Sequence, residues 1–193
     1  MTVGDAQKDR DEAARLPEGD VVAILLDQHA RIRELFGHVK TSRGDERKRT
    51  FDDLRALLAV HETAEEMIVR PVAADTAGKA EADARNDEEA KANKVLAELE
   101  KMDLESADFE TRLAAFEQSV LQHAEKEEHE EFPAVRAGCS EDQLQKMGRR
   151  LVAVEKMAPT HPHPMAAGSP TAQMLTGPFA SMVDRARDAL SKS

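Results

Sequence analysis

HETAEEMIVRP (61–71) and HAEKEEHEEFP (123–133) are imperfect copies of one pattern. Each opens with His, carries Glu-Glu at its fifth and sixth positions and ends on Pro at the eleventh. An apolar stripe leads into each copy. In the first it runs Phe51, Leu54, Leu58, then His61, Glu65 and Ile68; in the second, Phe109, Leu113, Phe116, Val120, then His123 and Glu127. Steps of three and four put each set on one helix face. Four residues turn a helix by ~400°, so each His stands almost above its Glu. Burying an unpaired carboxylate is costly even after the surroundings relax, so a Glu on a core face needs a positive partner. A metal ion supplies that charge, and imidazole with carboxylate are natural ligands for it. Turning this face to solvent would expose Phe51, Leu58, Phe116 and Val120. A solvated face therefore accounts for Glu66, Glu125, Glu128, Glu130 and Glu131, but not for His61, Glu65, His123 and Glu127.

Outward from the repeat, the same periodicity predicts two more long helices. Val22, Leu25, His29, Ile32, Phe36 and Val39 form a stripe that begins after Asp20 and is broken by TSRGD (41–45). A further helix runs from about Asp75 to Met102, with Ala92, Leu96 and Leu99 apolar in its second half. The second helix is expected to close near Pro71, since proline cannot donate the helical hydrogen bond. Four long helices with short connections predict an all-α, up-down-up-down four-helix bundle. Residues 1–19 are polar and are read as a flexible N-terminal segment, 20–136 as the bundle, and 137–193 as a helical extension packed on it. In that extension Ser140 and Gln143 make a capping box, which opens a helix with Leu144, Met147, Leu151 and Val154 on one side. A Pro-rich loop (158–170) comes next, then a final helix from Pro178.

Composition narrows the function. The 193 residues include 27 basic and 38 acidic ones, a formal net charge of −11. That balance disfavours phosphate and nucleic-acid binding. Six Phe with no Trp or Tyr argue against an all-β fold and leave few platforms for stacking bases. A single Cys, Cys139, allows neither an intramolecular disulfide nor a thiolate cluster. The longest apolar run, 21–26, is far short of a membrane span. Residues 1–20 lack the apolar stretch of a secretory signal, so a cytoplasmic protein is expected. His38, His129, His161 and His163 fall off the core faces and are read as surface or loop.

These motifs resemble the hemerythrin-like, or HHE cation-binding, domain. The matching stretches are LLDQHARIRELF (25–36), HETAEEMIVRP (61–71), LAELEKMD (96–103) and HAEKEEHEEFP (123–133), which together span roughly 20–135. The resemblance implies a four-helix bundle around a non-haem, oxo- or hydroxo-bridged di-iron centre, with manganese or a mixed pair as alternatives. It implies His29 as the ligand from the first helix, His61 and Glu65 from the second, and His123 and Glu127 from the fourth, with both glutamates bridging. The third helix departs from the family, whose members often place Glu-His seven residues before the Leu of the LAELE-type segment. Here that position is Glu89, and the helix has no His. Either Glu89 stands in as an oxygen ligand, with Glu88 as the fallback, or one iron has one protein ligand fewer. A Glu there would add one negative charge to the centre and favour its oxidised state.

With four protein ligands per metal and a bridge, one position stays open, which is the mark of a reactive rather than a structural site. The expected function is binding of O2, or reaction with O2 or peroxide, in oxidative or nitrosative stress. The expected ligands are O2, peroxide or NO, and no catalytic residue is expected beyond the metal site. If the chain is an enzyme, catalase-like or oxidase chemistry is expected. The alternative is a non-enzymatic iron or oxygen sensor whose metal loading a partner reads.

Overall fold

The computed structural model describes residues 3–155, and among them every regular element is helical. The elements in chain order are α1 (Val3–Ala13), α2 (Val21–Thr41), α3 (Gly44–Ala64), a π turn (Glu65–Val69), α4 (Arg70–Thr76), α5 (Lys79–Leu99), α6 (Ala107–Lys126), a second π turn (Glu127–Glu131), α7 (Phe132–Gly138) and α8 (Glu141–Glu155). The bundle is α2, α3 with α4, α5, and α6 with α7. Asp20 caps α2 by accepting the Val22 amide at 2.8 Å, and Ser106 caps α6 by accepting that of Phe109 at 3.1 Å. The third bundle helix starts later than Asp75, because Gly78 adopts φ 108° and separates α4 from α5.

Contrary to the expectation from the sequence, Pro71 does not close its helix, and Pro133 lies in the same arrangement. Each comes just after a π turn in which a backbone N–H reaches five residues back, Arg70 to Glu65 and Phe132 to Glu127. A proline lacks an N–H and clashes with the carbonyl four residues earlier in an α-helix. Widening the turn just ahead of it lets the chain continue as α4 and α7. Such turns are frequent at functional sites, and here both begin at the Glu of a His-x-x-x-Glu motif.

The core divides into two apolar clusters. One gathers Val21, Leu25, Val69, Phe132, Val135 and Leu151; the other gathers Ile32, Phe36, Leu54, Leu96, Phe109 and Phe116. His29, His61, Glu65, Glu89 and Glu127 are buried in the polar layer between them.

Two additions wrap the bundle. The segment read as flexible contains α1, which packs along α2. Its Ala6 and Ala13 are buried, and its buried Asp9 pairs with Arg33 Nε at 2.7 Å, an anchor that its polar composition conceals. At the other end the capping box forms as expected. The Ser140 amide donates to Gln143 Oε1 at 2.8 Å, and the Gln143 amide to Ser140 Oγ at 3.3 Å. Leu144, Met147, Leu151 and Val154 of α8 are buried against the bundle. Gly148 lets α8 seat closely, since a Cβ there would lie 2.1 Å from the Gly19 carbonyl oxygen. The Pro-rich loop, His161, His163 and the helix expected from Pro178 lie outside the described residues.

Candidate metal centre

The helix faces read from the sequence converge on one cluster. Ligand-type atoms of His29, His61, Glu65 and Glu127 lie within 4.8 Å of one another, and so do those of Glu65, Glu89, His123 and Glu127. The two groups share Glu65 and Glu127. His61 Nε2 is 3.3 Å from Glu65 Oε2, His123 Nε2 is 3.1 Å from Glu127 Oε1, and His29 Nε2 is 3.5 Å from Glu127 Oε2. On α5 it is Glu89 that faces the cluster, buried, with Oε1 3.6 Å from His123 Nε2. Glu88 points elsewhere: it is part-exposed and meets His123 on the far side of the imidazole.

All three histidines are held by their Nδ1. His29 donates to Glu128 Oε1 at 2.8 Å, His61 to Gln28 Oε1 at 2.6 Å and His123 to Glu88 Oε2 at 3.0 Å. Fixing Nδ1–H in this way leaves Nε2 with its lone pair directed inward, the usual manner of orienting a metal-ligating imidazole. Glu128 is held in turn by Arg33 at 2.9 Å, and Glu88 by Lys126 and by Arg85 at 3.4 Å. Glu66, Glu128 and Glu131, read as solvated, have buried side chains, whereas Glu125 and Glu130 are exposed as expected. Glu128 and Glu131 are turned inward onto partners on other helices, Glu128 onto His29 and Arg33 and Glu131 onto Arg70. His38 and His129 are exposed, and Cys139 caps the end of α7.

Whether these residues suit a metal is answered by their unmet valences. His29 Nε2, His123 Nε2, both oxygens of Glu65, Glu89 Oε2 and Glu127 Oε2 are buried without a hydrogen-bond partner among the described residues. Orphaned acceptors packed this closely are expensive, and all of these belong to the two groups. A cation in each group would satisfy them together, so the donor set fits.

Electrostatics carry the same strain. Burial and the nearby Glu127 hold the Glu65 carboxyl well above the usual carboxylate range, and burial pushes Glu89 up to about 8 and Glu131 up to about 7. Burial presses His61 down to about 3. Burial opposes charge on His29 and His123 as well, yet their glutamate partners prevail and raise both. Glu127 is itself drawn well below the ordinary range, chiefly by His123 against the penalty of burial. Burial and Glu89 also hold the nearby Glu62 carboxyl well above its usual value.

The residue that the sequence reading missed is Arg70. It is buried, and its guanidinium contacts Glu89 and Glu131 closely, Glu127 at 3.0 Å and Glu65 at 3.8 Å. The negative charge that Glu89 brings thus lies beside a fixed positive one. A signal was available: the two repeats differ at their tenth position, Arg70 in one and Phe132 in the other.

A cavity of about 420 Å³ leads to the cluster between α5 and α6. Its walls include Ile32, Leu58, Phe116 and Val120, and His29, His61 and His123 line it where it meets the polar layer.

Residues 20–135 match the family model for the Hemerythrin HHE cation binding domain. The chain belongs to the hemerythrin HHE family. Domains of this family bind metal cations, and the clustered His and Glu side chains provide a place for them. An uncharacterized hemerythrin-like protein from Schizosaccharomyces pombe is 28% identical over 138 residues, covering 70% of this chain and 68% of the relative. The crystal structure of a hemerythrin HHE cation binding domain-containing protein from Mycobacterium kansasii superposes with a TM-score of 0.64 at 20% identity, covering 89% of this chain and 99% of that one. That likeness is one of fold. Among the described residues, no helix is long and apolar enough to cross a membrane.

Proposed function

We propose that this hemerythrin HHE domain holds two iron ions through His29, His61, Glu65, Glu89, His123 and Glu127, and uses them to bind O2 or to react with O2 or peroxide. The observation that carries this reading is the overlap of the two ligand groups at Glu65 and Glu127. Two carboxylates common to both groups are what a pair of bridged cations requires, and a single cation would leave part of the set orphaned. Manganese or a mixed pair fits the same donors.

When bound, an iron pair supplies electrons to O2 or peroxide. The protein's own part is separate and arises from its side chains. Glu128, Gln28 and Glu88 fix the three imidazoles in one tautomer and orientation. The apolar walls of the cavity admit a small uncharged molecule and disfavour bulk water. Burial and the nearby Glu89 favour the protonated form of Glu62, on the same cavity wall. A role in oxidative or nitrosative stress in the cytoplasm is consistent with this chemistry.

A sensor is the second reading, and one observation favours it. Asp9, Arg33, Glu128 and His29 form an unbroken line of contacts from α1 to the cluster. Metal loading at His29 could thereby be felt by an outer helix.

The deciding experiment is metal analysis with an optical spectrum of protein purified under air after iron-supplemented expression. Two irons per chain with near-ultraviolet charge-transfer bands are expected. No metal, or one zinc that iron cannot displace, would overturn the reading. Rapid O2 evolution from peroxide separates the reactive protein from the sensor. Metal-dependent protection of the chain from proteolysis without turnover points to the sensor.

A further inference from the structure

The two halves of the cluster are built on one plan but differ in charge. The repeat relates Arg70 to Phe132, and the step from His29 to Glu89 relates the first bundle helix to the third. In one half the Phe132 ring stacks on His29, with centroids 5.6 Å apart and planes 21° off parallel. In the other half the equivalent pair is Arg70 against Glu89. A neutral imidazole–phenyl pair has been exchanged for a carboxylate–guanidinium pair. Neither change stands alone, since Glu89 without Arg70 adds an uncompensated buried charge, and Arg70 without Glu89 loses a close partner.

The exchange has a consequence for cation binding. A guanidinium keeps its charge at every pH that the fold survives. That of Arg70 already contacts Glu65, Glu89 and Glu127, which are three of the four residues of the second ligand group. Glu65 and Glu127 belong to the first group as well, so the contact that sets the halves apart is the close one to Glu89, which only the second group contains. A cation entering the Glu89–His123 half competes with Arg70 for its carboxylates and is repelled by it at close range, where little solvent screens the charges. One entering the His29–His61 half meets Arg70 only across the shared Glu65 and Glu127, and none of its own ligands is held as closely as Glu89 is.

We propose that Arg70 acts as a built-in cation that makes the two metal positions unequal. The His29–His61 half fills first, and the Glu89–His123 half fills second and more weakly. Arg70 is thus a positioning residue for Glu89 in the metal-free protein and a restraint on the second metal. This inference rests on the reading of the six residues as a two-metal centre.

The test is an anaerobic titration of the metal-free full-length protein with Co²⁺, monitored by calorimetry and by the visible bands of the bound ion. Two steps are expected for the natural chain, the second at least tenfold weaker. Arg70→Met should tighten the second step at least tenfold, change the first less than threefold, and lower the melting temperature of the metal-free protein. Should that variant fail to fold, Arg70→Phe with Glu89→His installs the pair already packed in the other half, and its two steps should come within about threefold. Two equal steps in the natural chain would overturn the proposal, as would an unchanged or weakened second step in the folded variants, while leaving the two-metal reading intact. No Co²⁺ bound by the natural chain would overturn both.

Discussion

Glu128 on the second π turn accepts a hydrogen bond from Nδ1 of His29 on α2 at 2.8 Å, across 99 residues of sequence. The same carboxylate takes Arg33 at 2.9 Å and is drawn below the usual range by His29 and Arg33, despite its burial. It therefore orients the imidazole without competing for Nε2. Glu128→Ala is expected to lower metal affinity by about 10–100-fold, the usual effect of removing a group that orients a ligand. Gln28→Ala should act in the same direction through His61. Competition against a chelator checks this, and unchanged affinity in Glu128→Ala would show that His29 needs no such support.

Glu65 and Glu127 belong to both ligand groups, whereas Glu125 and Glu130 on the same helical stretches are exposed. Glu65→Ala or Glu127→Ala should remove most bound metal and lower the melting temperature of the loaded protein. Glu130→Ala should stay within the ~0.5 kcal/mol typical of surface sites. Glu66 is unsuitable as a surface control because it is buried. Equal metal loss in the core and surface variants would show that the wrong face has been assigned.

The metal-free protein should lose stability as pH rises from about 6.5 to 8. Glu89, at about 8, and Glu131, at about 7, both start from 4.5, and His29 and His123 lie above 6.5. Each of these groups holds its proton more tightly folded than unfolded, so its contribution is full below the unfolded pKa and lost as pH climbs through the folded one. His61, pressed down to about 3, is neutral in the fold throughout this window, and its opposite contribution is lost only at lower pH. Calorimetry of chelator-treated protein should show a falling melting temperature, and added metal should flatten the trend because it takes the place of the protons. A melting temperature that rises between these pH values would contradict the assignment.

Gly148→Ala tests how α8 is held. The added methyl would lie 2.1 Å from the Gly19 carbonyl oxygen, which belongs to backbone and cannot swing aside. Overpacking of this kind typically costs about 1–3 kcal/mol. A denaturant midpoint equal to that of the natural chain would mean that α8 can shift freely. Metal content is expected to persist, since α8 supplies none of the six proposed ligands.

How far the sequence could be read depended on whether a feature repeats along one helix. The stripes ending in His61–Glu65 and His123–Glu127 recur at steps of three and four, so their burial and shared face were legible, as was the capping box of Ser140 and Gln143. His29 lies on such a stripe too, whereas Glu89 came from the family resemblance, through the seven-residue offset from Leu96, with Glu88 as the fallback. The groups behind them were not legible. Gln28, Glu128 and Arg70 act across helices, and no periodicity within a helix records a partner on another. Asp9 looks like part of a solvated segment because composition does not register a single buried ion pair. Glu128 and Glu131 escape a sequence reading for the same reason, since their burial depends on His29, Arg33 and Arg70 elsewhere in the fold.

The widening at each π turn sets the spacing at which one strand of backbone can address the centre twice. In an unbroken α-helix a residue five places on points about 140° away, so Arg70 could not reach the carboxylate of Glu65, nor could Phe132 share the side of Glu127 and stack on His29. The extra residue in each turn acts as a phase shifter. The chain keeps a four-residue beat up to the glutamate and a five-residue beat beyond it, so that ligand and backing side chain fall on one side. Deleting one residue from either turn would leave the His-x-x-x-Glu motif untouched in sequence while swinging its companion away. A motif search would not notice the loss, but the centre would.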